Sequence, residues 1–388
     1  MFRQLKIRNL NGIIRRHLAS KKEPKVNSEV NTMGAEAVVA KGHSLVLPIN
    51  VLPQSKYGGI TTVSLLTGES LIGKQGGRYV STLLQNARVP VEVQRIRVDQ
   101  ENEYLNSVVR NRAAVHIEIV HDAVAKKKAL KICHDLDLYV FMSRLRTFPG
   151  FNCRFADVDI QLIAQNNMGN YAELEYVPVR GVVEALSVVI QENLERYLKY
   201  AFQAAVDLGR KRVTVIHKIS EWPVTDGVLV DVAKHIHEKD YSCLELETME
   251  LDDTVSRLIL DPNHFDVLMT SDRYATFVAT ICSGVCGGAN LFSAIEKSDN
   301  HAVFKPLQTK LSLTNYKTLS PYGIVSTCVD LLNHVNQKSC ATNLWNEMLR
   351  TMREGIKTGE FGGSDSGNFV ICNIMNQLRC NMFSEVKP

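Results

Sequence analysis

Apolar residues recur at the helical period most clearly between residues 192 and 208, where Leu194, Leu198, Ala201, Phe202, Ala205 and Leu208 fall on one face. Gly209 follows at the natural C-terminal stop, so the spacing predicts a helix that ends there. The basic turn Arg210 to Arg212 then opens a short apolar run, Val213 to Ile216, of strand length. A second amphipathic stretch from Asp226 to His237, a buried-strand pattern from Phe265 to Met269, and helical patterns over 326–335 and 342–356 continue the alternation. Upstream, the first firm strand signal is Thr61 to Leu66, and residues 27–57 mix Ser, Asn, Gly and Pro, so the folded body is expected to start near residue 55. Strands alternating with helices of these lengths predict a layered α/β fold, with no internal repeat and no low-complexity tract.

Composition changes this picture little: 388 residues, 45% apolar and 22% charged, are ordinary for a folded globular protein and exclude a disordered or fibrous chain. The longest apolar run, Phe277 to Phe292, is interrupted by Thr280, Ser283 and glycines and falls short of a membrane span. Charge is more informative. The whole chain carries +4, yet residues 1–26 hold eight Lys or Arg against the single acid Glu23, a local +7 that leaves the remainder at −3. Arg-rich, acid-poor and weakly amphipathic through Phe2, Leu5, Ile7, Leu10, Ile13, Ile14 and Leu18, this segment reads as a mitochondrial presequence. A nucleic-acid-binding surface is therefore not implied, because the excess positive charge sits in a segment expected to be removed. The bland reading is a basic tail without an address.

Local motifs carry less. Nine scattered cysteines without a CxxC pair read as reduced thiols, and Cys282 and Cys286, one helical turn apart, read as core. His235 and His237 point to different sides of a helix. Gly68 to Lys74 fits GxxxxGK directly after a strand, but Gln75 replaces the Mg²⁺-binding hydroxyl and Gly76-Gly77 fall where a phosphate-cradling helix should begin. An ordinary strand-to-helix turn is the better reading. No GxGxxG occurs. The acidic group Glu250, Asp252 and Asp253 could serve a hard cation or simply cap a helix.

Longer blocks say more when taken together. Asn166-Asn167-Met168-Gly169-Asn170-Tyr171, Arg180-Gly181-Val182-Val183-Glu184, Gly209 to Lys218 and Thr225-Asp226-Gly227, in that order and spacing, resemble the subunits of mitochondrial NAD-dependent isocitrate dehydrogenase. The resemblance runs over roughly residues 57–380, through Leu136 to Tyr139 and Phe148-Pro149-Gly150 before these blocks, and Phe265 to Leu268 and Gly284 to Gly288 after them. Lys56 to Gly59 and His301 to Phe304 are most similar to the regulatory gamma type. It implies an isocitrate/isopropylmalate dehydrogenase-like α/β fold, with a large domain from 55–146 and 280–388 and a small domain from 147–279. A subunit-pairing clasp is implied near 165–185.

The resemblance also marks what is missing. Three arginines clamp the substrate carboxylates in catalytic subunits of this family, and Cys133, Ser143 and Ala164 stand at those positions. Two aspartates of the metal site are Thr276 and Thr280, and the segment that holds the cofactor adenine reads Lys305-Pro306-Leu307-Gln308. Tyr171, Lys218 and Asp252 remain. In the family the lysine assists proton transfer and the aspartate completes the metal shell, both across the dimer interface. The implied chain is a non-catalytic, regulatory-type subunit in the mitochondrial matrix. It would pair with a catalytic subunit that brings NAD and Mg²⁺ or Mn²⁺, with Asp252 lent in trans to that metal. The alternatives are a divergent 2-hydroxy-acid dehydrogenase, in which Arg144 and Arg146 replace the lost clamp, or a structural pseudoenzyme that assists assembly.

Overall fold

A computed structural model of the chain describes residues 60–384 except 69, 88, 98–100, 119–129, 152, 168 and 312–318. The expected presequence at 1–26, the start of the body at 55–59 and the Lys56 to Gly59 block lie outside the described residues. Ten strands form one mixed sheet: β1 Thr61–Thr67, β2 Val91–Arg97, β3 Ala113–Ile117, β4 Val140–Arg146, β5 Asp159–Gln165, β8 Arg212–His217, β9 Glu245–Glu250, β10 Val267–Thr270, β11 Ser293–Lys297 and β12 Ala302–Pro306. Their order across the sheet is β2-β1-β3-β12-β11-β4-β5-β10-β8-β9. The outer groups β2-β1-β3-β12 and β5-β10-β8-β9 are each parallel internally, while β11 and β4 pair antiparallel between them. The remaining strands, β6 Gly169–Val179 and β7 Val182–Val188, form a separate antiparallel hairpin.

Helices cover both faces, as parallel strand groups require. On one face lie α1 Leu71–Asn86, α6 Asp272–Val285, α8 Pro321–His334, α9 Lys338–Arg353 and α10 Gly367–Ser384, which bury Phe141, Leu145, Leu162, Ala164, Leu268 and Phe304. On the other, α3 Gln191–Asp207 and α4 Thr225–Asp240 cover Val140, Met142, Ile163, Val213, Val215 and Met269. Alternate residues of β4 and β5 thus enter different cores, which is why these strands read as apolar runs rather than as alternating patterns. Helix α2 Glu101–Asn111 packs beside β1, and α5 Leu251–Leu260 and the short α7 Leu307–Lys310 follow β9 and β12. Among the described residues no helix is long and apolar enough to cross a membrane.

The expected helix at 192–208 is α3, with Leu194, Leu198, Ala201, Phe202 and Ala205 buried and Gly209 left-handed at φ +66°. Leu208, expected on the buried face, is the cap and is half exposed. The strand-to-helix turn expected near residue 70 is what the structure shows. Helix α1 starts at Leu71 with Ser70 as its cap, its Oγ accepting from Gly73 N at 3.0 Å, and Gly76 and Gly77 lie inside it. A Cβ at Gly76 would meet Ile117 Cγ2, and one at Gly77 would meet Thr67 Cγ2, each at 2.6 Å. The pair lets the helix sit directly on β1 and β3 instead of breaking it. Cys282 and Cys286 are buried in the core as expected.

Candidate functional site

Strand β8 ends at His217, and the chain turns through Lys218 to Trp222, whose N–H donates back to Lys218 O at 2.8 Å. Two carboxylates fix the turn. Buried Asp226, at the start of α4, accepts from Lys218 N at 2.7 Å and from Tyr274 Oη at 2.9 Å. Glu250, at the end of β9, accepts from Ser220 N at 3.2 Å and Ser220 Oγ at 3.1 Å. Arg273 stacks on Trp222 at 4.2 Å and closes the turn from the α6 side.

Held this way, Lys218 sends its ammonium to Glu221 at 3.0 Å and to Asp252 at 3.1 Å. Its hydrogen bonds to Glu221 and Asp252 hold its pKa above the ordinary lysine value, so it stays charged at neutral pH. The Asp252 side chain is 76% exposed and that of Lys218 18%, so the pair lies at the surface with the carboxylate outermost. The structure therefore brings together two of the three residues that the resemblance singles out, Lys218 and Asp252. The third, Tyr171, lies in β6 of the hairpin.

Of the five positions that the resemblance marks as substituted, Cys133, Ser143 and Ala164 lie within the chain's own packing. Cys133 is buried and donates to Glu296 Oε2 at 3.4 Å, with burial and the Glu296 charge pushing the thiol up to about 12. Ser143 donates to Ser293 O at 2.8 Å, and Ala164 is fully buried in the core. Thr276 and Thr280 are exposed on α6, with Thr280 Oγ1 donating to Thr276 O at 2.7 Å. Threonine hydroxyls do not supply the charge a divalent cation needs, and Asp272, one turn before Thr276, is buried. Among the described residues no group of side chains by itself fits a divalent metal.

Around Cys133 lies a charged cluster that the sequence reading missed. Glu296, 1% exposed, accepts from Lys305 at 2.6 Å and from Lys310 at 2.7 Å, and Lys310 also donates to Asn166 Oδ1 at 2.5 Å. Burial pushes the Glu296 carboxyl up, but the Lys305 and Lys310 charges outweigh it and hold it well below the usual range. Lys305 and Gln308, from the segment matched to the adenine-binding pair, are both buried. These side chains do not offer an open adenine subsite. Arg144 and Arg146, considered as replacements for the clamp, lie at the C-terminal end of β4 beside Asp159, at the opposite end of β5 from Ala164.

Two solved structures share the fold. The TT0538 protein of Thermus thermophilus superposes with a TM-score of 0.78 at 19% identity, covering 84% of this chain and 70% of its own. The isocitrate dehydrogenase of Methylococcus capsulatus gives 0.76 at 20%, covering 82% and 100%. The class is thus a mixed α/β protein with helices on both faces of one sheet. In sequence, the isocitrate/isopropylmalate dehydrogenase family profile matches residues 111–379, and the chain belongs to that family. Curated relatives include the gamma subunit of mitochondrial NAD isocitrate dehydrogenase of Bos taurus, 29% identical over 84% of this chain and 86% of its own length. A mitochondrial regulatory subunit of NAD isocitrate dehydrogenase from Dictyostelium discoideum is 27% identical over 80% and 90%.

Proposed function

We propose that this chain is a non-catalytic, regulatory-type subunit of a mitochondrial NAD-dependent isocitrate dehydrogenase. In this reading it supports, in the matrix, the oxidative decarboxylation of isocitrate to 2-oxoglutarate by a catalytic partner. One contrast carries the reading: the clamp positions Cys133, Ser143 and Ala164 are buried in this chain's own packing, while Lys218 and Asp252 stand paired at the surface. A chain that binds no tricarboxylate itself can still lend a cation and a carboxylate. The partner brings NAD and the divalent metal. Lys218 supplies the charged ammonium, oriented by Asp226 and Glu221, and Asp252 supplies a carboxylate at the shared boundary.

The hairpin β6–β7 is the proposed clasp. Its apolar side chains Val177, Val179 and Val183 are 63%, 61% and 69% exposed, an arrangement that a second subunit would cover. The proposed domain division is supported by the strand order, since cuts at 146/147 and 279/280 separate β2-β1-β3-β12-β11-β4 from β5-β10-β8-β9, with α6 crossing the second cut.

The test is co-expression with a catalytic-type subunit, purification of the complex, and measurement of isocitrate-dependent NAD reduction with Lys218→Ala. Loss of a positioned proton-transfer group lowers the rate by about 10²–10⁴ at each site that borrows it. Failure to form a complex, or a rate indifferent to Lys218, overturns the reading, and a complex with unchanged rate would leave a purely structural partner.

A further inference from the structure

At the opposite end of β5 from Ala164, and so remote from the Lys218 surface, a cavity of about 250 Å³ opens between the end of β4 and helices α8 and α9. Its polar side chains include Arg144, Arg146 and Asp330, and its apolar wall is Phe148, Phe292 and Trp345. The two arginines differ. Arg144 is bidentate to Asp159 at 2.9 and 2.6 Å. Burial pushes the Asp159 carboxyl up, but Arg144 and Arg210 hold it down at about 2, so this group is internally neutralised.

Arg146 has no such partner. Its guanidinium lies over the Trp345 ring at 3.7 Å, and among the described residues no acceptor takes its N–H groups. Stacking occupies the face of a guanidinium and leaves its in-plane donors free. Burial and the neighbouring Arg144 lower its pKa to about 10, which still leaves it charged at neutral pH. Across the cavity, Asp330 of α8 accepts from Ser293 Oγ and forms no ion pair within 4.0 Å with either arginine. Arg146 and Asp330 thus face a single space without touching, each within reach of the other's charge; burial raises the Asp330 carboxyl, and the Ser293 hydrogen bond and the charges of Arg146, Lys297 and Arg144 work against that.

We propose that this cavity binds a small α-amino acid, its carboxylate on Arg146, its ammonium on Asp330 and an apolar side chain against Phe148, Phe292 and Trp345. A simple anion would leave Asp330 opposing it, and a simple cation would leave Arg146 unmatched; a zwitterion satisfies both, and each charge is worth more at a partly desolvated site than in water. The volume equals that of about eight waters at roughly 30 Å³ each, which suits a ligand of leucine size.

The test is titration calorimetry of the full chain with leucine, with 4-methylpentanoate, which lacks the ammonium, and with 3-methylbutylamine, which lacks the carboxylate. Leucine is expected to bind at least tenfold more tightly than either analogue. Arg146→Met should abolish leucine binding, and Asp330→Asn should erase the preference for leucine over 4-methylpentanoate. Because changes at Arg146 and Asp330 can disturb the helices, Thr342→Trp, on the exposed rim, provides a blocking variant, expected to keep the wild-type thermal midpoint and lose binding. Absence of leucine binding up to 10 mM (a roughly 3 kcal/mol floor), equal binding of an analogue, or leucine binding unchanged in Thr342→Trp overturns the proposal.

Discussion

Replacing Glu296 with Gln removes one charge and leaves two ammonium groups, Lys305 and Lys310, in a site where the three side chains are 1%, 7% and 8% exposed. At an effective dielectric constant of about 20, each contact near 2.6–2.7 Å is worth roughly 6 kcal/mol of attraction. Desolvation of several kcal/mol per ion offsets most of that, so the intact cluster adds little net stability. Breaking it is a different matter, because the lysines stay buried without their counter-charge; the expected loss is about 3–5 kcal/mol. For roughly 300 folded residues at about 2.1 cal/mol/K each, that is a fall of roughly 5–8 °C in thermal midpoint. Thermal and urea unfolding followed by circular dichroism measures it. The triple change Glu296→Leu, Lys305→Met, Lys310→Met should recover most of the loss. The folded Glu296 pKa is depressed, so its contribution is present above the unfolded value near 4.3 and is lost as pH falls below that through the folded value. The gap between wild type and Glu296→Gln should therefore be constant from pH 7 to about 5 and shrink in more acid solution. A loss under 1 kcal/mol, or a triple variant as unstable as the single one, would refute the reasoning.

Gly77→Ala improves helix propensity by about 1 kcal/mol but drives a methyl into the stiff Thr67 side chain, so a net loss of about 1–2 kcal/mol in chemical denaturation is expected. Asp226→Ala strands Lys218 N and Tyr274 Oη; stability should drop by about 2–4 kcal/mol, and amide exchange at 218–222 should accelerate. Val177→Asp with Val183→Asp places charges on the exposed hairpin, and sedimentation of the co-expressed complex should show dissociation while the chain's own unfolding midpoint stays within about 0.5 kcal/mol of wild type.

Much of the fold was legible because periodicity is a local property. Helix α3 begins and ends within one residue of its pattern, and Gly209 marks its stop through a left-handed φ that glycine adopts freely. The misses have definite causes. Helix α8 starts at Pro321, five residues before the periodic stretch, since Pro321-Tyr322-Gly323 looks like a turn until the proline is seen at the first helical position. The strand-to-helix turn before helix α1 was readable, but the reason for Gly76 and Gly77 inside the helix was not, because it is a close approach to Thr67 and Ile117, a tertiary fact. At the site, Lys218 and Asp252 were reachable through blocks resembling a known family, but their contact joins residues 34 apart. The Glu296 cluster gave no signal at all, because its members reach one another across β11, β12 and α7. Arg144 and Arg146 were near Ser143 in sequence, yet the strand carries them toward the far end of the sheet.

The lysine–glutamate cluster has a consequence for the history of the chain. If Cys133 was once an arginine, as the family resemblance implies, restoring it alone would set a third cation beside Lys305 and Lys310 with only Glu296 to balance them. Reversion of one clamp position is then opposed by the repacking that followed its loss, and recovery of an anion site needs several simultaneous changes. On that premise Lys305 or Lys310 would have to change together with Cys133 before a third cation could be accommodated beside Glu296.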